Sequence, residues 1–360
     1  MADALDPLLV VPAVPGAAAR EEGDGICVRR YRFFWRRWED LADGAILEHV
    51  RSRKSRLVQV PFLLTAQFFA MRRAVRHHKP AAIHAHWIIP QGIVARMAAP
   101  RVPMIVTTLG GDLYALNDPL SRWLKRRVLR RAAAVTVMSE DMRERAIALG
   151  AHPDTTHVMP MGAETKAFAA AADAAPRARS TSTELLAVGR LVEKKGFGVL
   201  LEALRSVNAA QWHLTIVGDG PLRGALESAA AGLPVTFVGQ LSRAELAAAD
   251  AAADVAIFPS VRAASGDQDG LPVALLEAMA AGCAVVVSDL PGLADAVVDG
   301  DSGLVVASGD SQALAAALEG LLTDRQAAER LGARARERAI TFDVENVARG
   351  YAELLLRVAT

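Results

Sequence analysis

The chain has 360 residues, 52% hydrophobic and 22% charged, which suits a folded protein of about two domains and excludes disordered, collagen-like and fibrous classes. Its net charge of +1 is a cancellation, because residues 1–180 hold 27 Lys+Arg against 17 Asp+Glu whereas residues 181–360 hold 14 against 23. Cys27 and Cys283, far apart and outside any CxxC spacing, exclude a disulfide framework and a structural zinc site, so a reducing cytosol is expected.

Asp3 and Asp6 stand where an export signal would carry Lys or Arg, and Pro12 and Pro15 break the apolar run, so no signal peptide is expected. The longest uncharged runs, Leu57 to Met71 and Ala81 to Ala95, fall short of the roughly 20 residues that a membrane-spanning helix needs. Short β-branched runs alternating with helical patterns predict α/β architecture with parallel sheets. The predicted strands are Leu8 to Val11, Ile26 to Arg32, Ala82 to Ala85, Met104 to Thr108, Ala134 to Val137 and Thr156 to Met159. In the second half they are Glu184 to Val188, His213 to Val217, Val235 to Val238, Val255 to Phe258, Ala284 to Val287 and Leu304 to Val306.

The Ala/Pro/Ser/Thr-rich stretch 167–183, where the charge changes sign, predicts a linker between domains at 1–166 and 184–340. Ser242 followed by Glu245 predicts a capping box, and Asp310 an N-cap. Residues 341–360 close the chain with an amphipathic helix over Tyr351 to Val358, expected to pack back on the N-terminal domain. Two doubly wound domains place a ligand in the cleft at the carboxyl ends of their strands.

Along the first half, His84-Ala-His86-Trp87 ends one strand, and a metal reading of the two imidazoles is set aside because positions i and i+2 of the strand are taken to face opposite sides; one is expected to pack and the other to reach the cleft. Gly110 and Gly111 would let a ligand approach the backbone, and Asp112 could accept a hydroxyl hydrogen bond. Arg29, Arg30, Arg32, Arg36 and Arg37 interleave with Phe33, Phe34, Trp35 and Trp38, followed by Arg51, Arg53, Lys54 and Arg56. This suits an anionic membrane surface or lipid-diphosphate acceptor, against the plainer reading of a solvated face.

In the second half, Arg190 and Lys195 flank a turn bounded by Gly189 and Gly196, fit for a diphosphate or simply a solvated basic turn. Gly218 and the Phe237 to Leu241 turn could shape a nucleobase pocket. Gly270 and Leu271 lead to Pro272 as first helical residue, leaving free N–H groups at about Val273 and Ala274 to favour an anion. Glu277, inside that apolar helix, needs hydrogen-bond donors, which ribose hydroxyls or a neighbouring loop could supply. Asp269 would then lie near the group beyond the phosphate. Asp267-Gln-Asp269 also matches a D-x-D metal motif, discounted because the Arg/Lys pair already neutralises charge. No G-x-G-x-x-G after a strand, P-loop or G-x-S-x-G motif occurs.

Together these segments resemble the retaining nucleotide-sugar glycosyltransferases of family 4, with the GT-B fold of two facing Rossmann-like domains. The resemblance rests on HAHWIIPQG from His84, LGGDLYAL from Leu109, PMG from Pro160, VGRLVEKKG from Val188, VGDGPL from Val217, DGLPVALLEAMA from Asp269 and DGDSGLVV from Asp299. It implies transfer of a sugar from a nucleotide-diphosphate sugar to a glycan or lipid-linked acceptor in surface polysaccharide or glycolipid assembly. Arg190 and Lys195 would bind the diphosphate, Glu277 the ribose and Asp269 the sugar hydroxyls, with Gly189, Gly218, Leu241 and Gly270 to Val273 completing the donor side. His86, Gly110, Gly111 and Asp112 would face the acceptor and sugar. No metal, cofactor, side-chain nucleophile or nucleic acid is implied, and the expected place is the cytoplasm, at the inner membrane face.

Three departures stand out. Asp269 replaces the family's first Glu; Leu109 replaces its His, leaving backbone N–H groups, Asp112 or His86 to hold the sugar; and the strand, glycine loop and helix that open the relatives are absent before Leu8. The last predicts an exposed apolar seam with two open strand edges, and an internal or misassigned start at Met1 or a gene remnant. A catalytically impaired nucleotide-sugar-binding relative is therefore the alternative.

Overall fold

A computed structural model describes residues 5–23, 25–35, 53–114, 116–175, 182–208, 211–264 and 266–360. In the N-terminal half, β1 (Leu8–Pro12), β2 (Arg20–Gly23) and β3 (Ile26–Tyr31) form one sheet in the order β1-β3-β2. A second sheet joins β4 (Ile83–His86), β5 (Met104–Thr107), β6 (Ala134–Val137) and β7 (Thr156–Val158), all parallel. Every residue of β5 and β6 is buried, as the unbroken apolar runs of a sheet covered on both faces require.

β2 is missing from the predicted strands because its sequence, REEG, is fully exposed and has no apolar alternation. It is antiparallel to β3, and Arg30 reaches Glu21 across the pair at 2.9 Å. The helix Gln59–His78 covers this sheet, burying Leu63 against Phe33. β1 and β4 are each paired on one side only among the described residues, and Leu9 is 41% exposed.

The C-terminal half holds β8 (Thr183–Val188), β9 (Trp212–Val217), β10 (Val235–Gly239), β11 (Val255–Phe258), β12 (Ala284–Ser288) and β13 (Leu304–Val306). Their order, β10-β9-β8-β11-β12-β13 and all parallel, is the doubly wound one. Strand order reverses between β8 and β11, the switch point where such folds place ligands, and the loops after those two strands meet there, Val261 N–H donating to the Lys194 carbonyl at 2.9 Å. Both loops carry predicted site residues. The capping box at Ser242 and Glu245 forms as predicted, and Asp310 caps the helix Ser311–Thr323.

The stretch predicted as a linker needs correction. Helix Thr165–Ala174 occupies its first part, with Phe168 1% exposed inside the C-terminal core. Burying one such ring stabilises by about 1.5–3 kcal/mol, enough to fix a helix whose sequence shows little periodicity. Residues 176–181 lie outside the described residues. The chain then returns: the helix Val344–Ala359 packs Leu354 against Ile105 and Ala134, and the Tyr351 hydroxyl donates to the Met159 carbonyl at 3.2 Å.

Candidate functional site

The loop after β8 begins at Gly189 and Arg190 and turns through Glu193–Lys195, ending at Gly196. Gly189 N–H donates to Val217 and Leu191 N–H to Asp219, so this loop is knitted to the one after β9. Gly218 permits that contact: at φ +131°, a Cβ there would lie 2.0 Å from the Gly189 carbonyl oxygen. Gly218 N–H in turn donates to Gly239 at the end of β10. Arg190 is exposed and Leu241 half-buried at the rim of these loops.

The Lys195 stem passes over Gly189, and its ammonium reaches Asp269 Oδ2 at 2.9 Å. Asp269 is buried on the loop after β11; the Ser260 hydroxyl donates to the same oxygen at 2.7 Å, and Lys194 lies 3.8 Å from the other. Lys194 also meets Asp267 at 3.1 Å. Both acids of the D-x-D string are thus matched with lysines. Lys194 and Ser260 were missed from sequence, although Ser260 stands two residues beyond β11, at the strand edge where such sites form.

Gly270 and Leu271 lead, half-buried, into the helix Val273–Ala280. Pro272 is its N-cap, not its first helical residue, because its ψ of 130° keeps it extended. No side chain caps the helix start, so the N–H groups around Val273 have no side-chain acceptor. Glu277 is 4% exposed and accepts from Arg243 at 3.2 Å. Burial raises its pKa, Arg243 opposes the shift and Glu164 adds to it. Arg243 and Glu164 were not found from sequence, since nothing local relates either to Glu277.

The N-terminal half behaves differently. Asp112 is 6% exposed and turned inward: Ile88 N–H donates to one oxygen at 2.6 Å, while the Thr108 hydroxyl at 2.7 Å and Leu109 N–H at 3.3 Å donate to the other. Both oxygens thus already hold the loop, Oδ2 through a single bond. Burial pushes its pKa up against these hydrogen bonds. Fully buried Lys125, donating to the Leu113 carbonyl at 3.0 Å, is a further unpredicted neighbour. Leu109 packs on the core beneath.

Gly110 takes φ +106° and Gly111 opens a short helical turn; a Cβ on Gly111 would meet nothing within 4 Å. His84 and His86 also require correction. Alternate residues of a strand share a face, so the two rings lie side by side with centroids 4.3 Å apart. His84 bonds Thr107 at 2.6 Å, whereas His86 remains exposed. Burial and neighbouring His86 push the His84 pKa down to about 4. Between the two halves, Glu140 N–H donates to Asp295 at 3.3 Å, and Arg262 acts on Tyr114, whose ring Arg145 covers at 4.8 Å.

Of the predicted aromatic and basic residues, Phe33 is buried, Trp35 is 65% exposed and Arg30 is paired with Glu21. Arg36, Arg37, Trp38 and Arg51 lie outside the described residues.

Residues 182–324 match the family model described as Glycosyl transferases group 1, and residues 1–162 match the Glycosyl transferase 4-like domain. The chain is 33% identical over 262 residues to the GDP-mannose-dependent alpha-(1-6)-phosphatidylinositol monomannoside mannosyltransferase of Mycolicibacterium smegmatis, spanning 69% of this chain and 68% of that protein. It is 36% identical over 182 residues to the amylovoran biosynthesis glycosyltransferase AmsK of Erwinia amylovora, covering 49% of this chain but 44% of AmsK. The crystal structure of Anabaena HepE in complex with UDP superposes with a TM-score of 0.73 at 18% identity, covering 98% of this chain and all of HepE. Fold and sequence agree that the chain belongs to the group 1 glycosyl transferases and is a glycosyltransferase of the GT-B fold.

Proposed function

We propose that the chain is a retaining transferase that moves a sugar from a nucleotide-diphosphate sugar to a glycan or lipid-linked acceptor in surface polysaccharide or glycolipid assembly. The observation that carries this reading is the clustering at the β8/β11 switch point of two lysines, an uncapped helix start and a buried carboxylate. Lys195 with Arg190 and the Val273 N–H groups would stabilise the charge that grows on the diphosphate as the glycosidic bond breaks. Glu277 would accept the ribose hydroxyls, Asp269 with Lys195 would meet the transferred sugar, and Gly218 and Leu241 would border the base.

HepE is described bound to UDP, and the mycobacterial relative is named for GDP-mannose and a phosphatidylinositol-based acceptor, which fits a nucleotide-sugar donor without choosing between bases. AmsK is named for a polysaccharide. The Gly110 and Gly111 backbone, exposed His86 and the Oδ2 of Asp112, which accepts a single bond, would meet the sugar and acceptor.

A panel of UDP- and GDP-sugars titrated against the full chain tests the reading: binding by one sugar series, lost in Lys195→Ala and Glu277→Ala, is expected. Binding with neither transfer nor hydrolysis would favour the impaired relative that Leu109 suggests. Peripheral attachment to an anionic inner membrane face is part of this proposal, supported by exposed Trp35, Leu57, Phe62 and Phe69 and by exposed Arg53 in the same N-terminal region. Co-sedimentation should rise with the anionic lipid content of vesicles; equal binding at all compositions would refute the attachment.

A further inference from the structure

We propose that Arg243 is a positioning residue for nucleotide binding, holding the Glu277 carboxylate ionised and oriented while tying it, through Glu164, to the segment that leaves the N-terminal sheet. This rests on the reading of Glu277 as the acceptor for ribose hydroxyls. Glu277 uses only Oε1, which accepts from Arg243 Nη2 at 3.2 Å; its Oε2 makes no hydrogen bond among the described residues. The carboxylate is thus half satisfied in a 4% exposed position, with the remaining oxygen available to a ligand hydroxyl.

Arg243 is held in turn. It is the first residue of the helix Arg243–Ala252, whose start is fixed by the Ser242–Glu245 capping box. Its Nε lies 2.9 Å from Glu164 Oε2, and its guanidinium stands 5.5 Å from the centre of the buried Phe168 ring. Glu164 follows Ala163, which bridges to Asp343, and precedes Thr165, whose hydroxyl donates to Asp343 at 2.6 Å. The arginine therefore joins the helix carrying Glu277 to the place where the chain crosses between the two halves and returns.

Burial alone favours the neutral acid, and a protonated carboxyl is a poorer acceptor for two vicinal hydroxyls than a carboxylate. The charged groups that act on Glu277 oppose each other: Arg243 favours the ionised form and Glu164 disfavours it. Losing Arg243 should move the loss of nucleotide binding at low pH to higher pH, because Glu277 then takes up its proton earlier. Glu164→Gln should move it the other way.

The test is titration calorimetry of the full chain with UDP and, separately, GDP between pH 5 and 8, with melting curves as a check on folding. Arg243→Gln should weaken binding of the preferred nucleotide by roughly tenfold or more, the worth of a hydrogen bond to a charged group, and shift the acid limb upward. Arg243→Lys should restore the limb in part. The 2′-deoxynucleotide should lose less affinity, relative to the ribonucleotide, in Arg243→Gln than in the wild type, a difference that a merely structural role would not produce. Unchanged affinity and acid limb in Arg243→Gln, with binding abolished in Glu277→Gln, would overturn the role of Arg243 alone. Unchanged binding in Glu277→Gln would overturn the ribose reading and this inference together.

Discussion

Asp269 and Asp112 occupy comparable places, each a buried carboxylate on a loop leaving a central parallel strand, one in each half of the molecule. Asp269 is met by Lys195 and the Ser260 hydroxyl, side chains that can swing toward an arriving anion or sugar. Asp112 is met by two backbone N–H groups and Thr108, which cannot leave without unfolding the loop. The C-terminal half thus pairs its buried carboxylate with side chains alone, while the N-terminal half holds its own mostly through backbone N–H groups.

The largest expected effect comes from separating Lys195 and Asp269. Lys195→Ala leaves buried Asp269 with only the more distant Lys194, at 3.8 Å, as a cation and should cost roughly 3 kcal/mol in denaturant unfolding. Adding Asp269→Asn should recover most of that loss without restoring nucleotide-sugar binding; a double variant as unstable as the single one would break the contrast. Next, Gly218→Ala drives a Cβ to 2.0 Å from a carbonyl oxygen and should cost about 2 kcal/mol or more. Gly111→Ala meets nothing and should leave stability within about 0.5 kcal/mol. Lost transfer in a Gly111→Ala protein with an unchanged melting temperature would locate the acceptor or sugar at that backbone.

Asp112→Asn keeps one acceptor oxygen but sets an NH2 against a donor in place of the other, and should cost about 1–3 kcal/mol, read as a lower melting temperature at unchanged nucleotide affinity. A separate, pH-dependent effect is expected at His84. Its pKa is about 4 in the folded chain against 6.5 when free, so the unfolded state takes up the proton first. The stabilising contribution is therefore present above 6.5 and lost as pH falls toward 4. His84→Gln should flatten that part of the melting profile, and an equally steep fall in the variant would remove His84 from the account.

How much of this was legible follows from distance along the chain. The strands of both parallel sheets, the capping box at Ser242 and the Asp310 cap are written in runs of three to six neighbouring residues. The Lys195 loop and the turn into Val273–Ala280 were found for the same reason. β2 was not, because an exposed REEG strand has only its partner to define it. The shared face of His84 and His86 was available from the two-residue period of a strand, and the sequence reading misplaced it.

By itself the sequence determined an α/β architecture with parallel sheets, the opposite charges of its two halves, and the family to which the glycine and lysine loops belong. Tertiary structure alone decided that Asp112 turns inward, that Lys195 and Asp269 pair, and that Arg243 joins Glu277 to Glu164. Local pattern sets which elements form, since backbone hydrogen bonding and apolar periodicity act over a few residues. Which buried charge meets which partner depends on residues far apart in sequence, and only packing brings their side chains within a few ångströms.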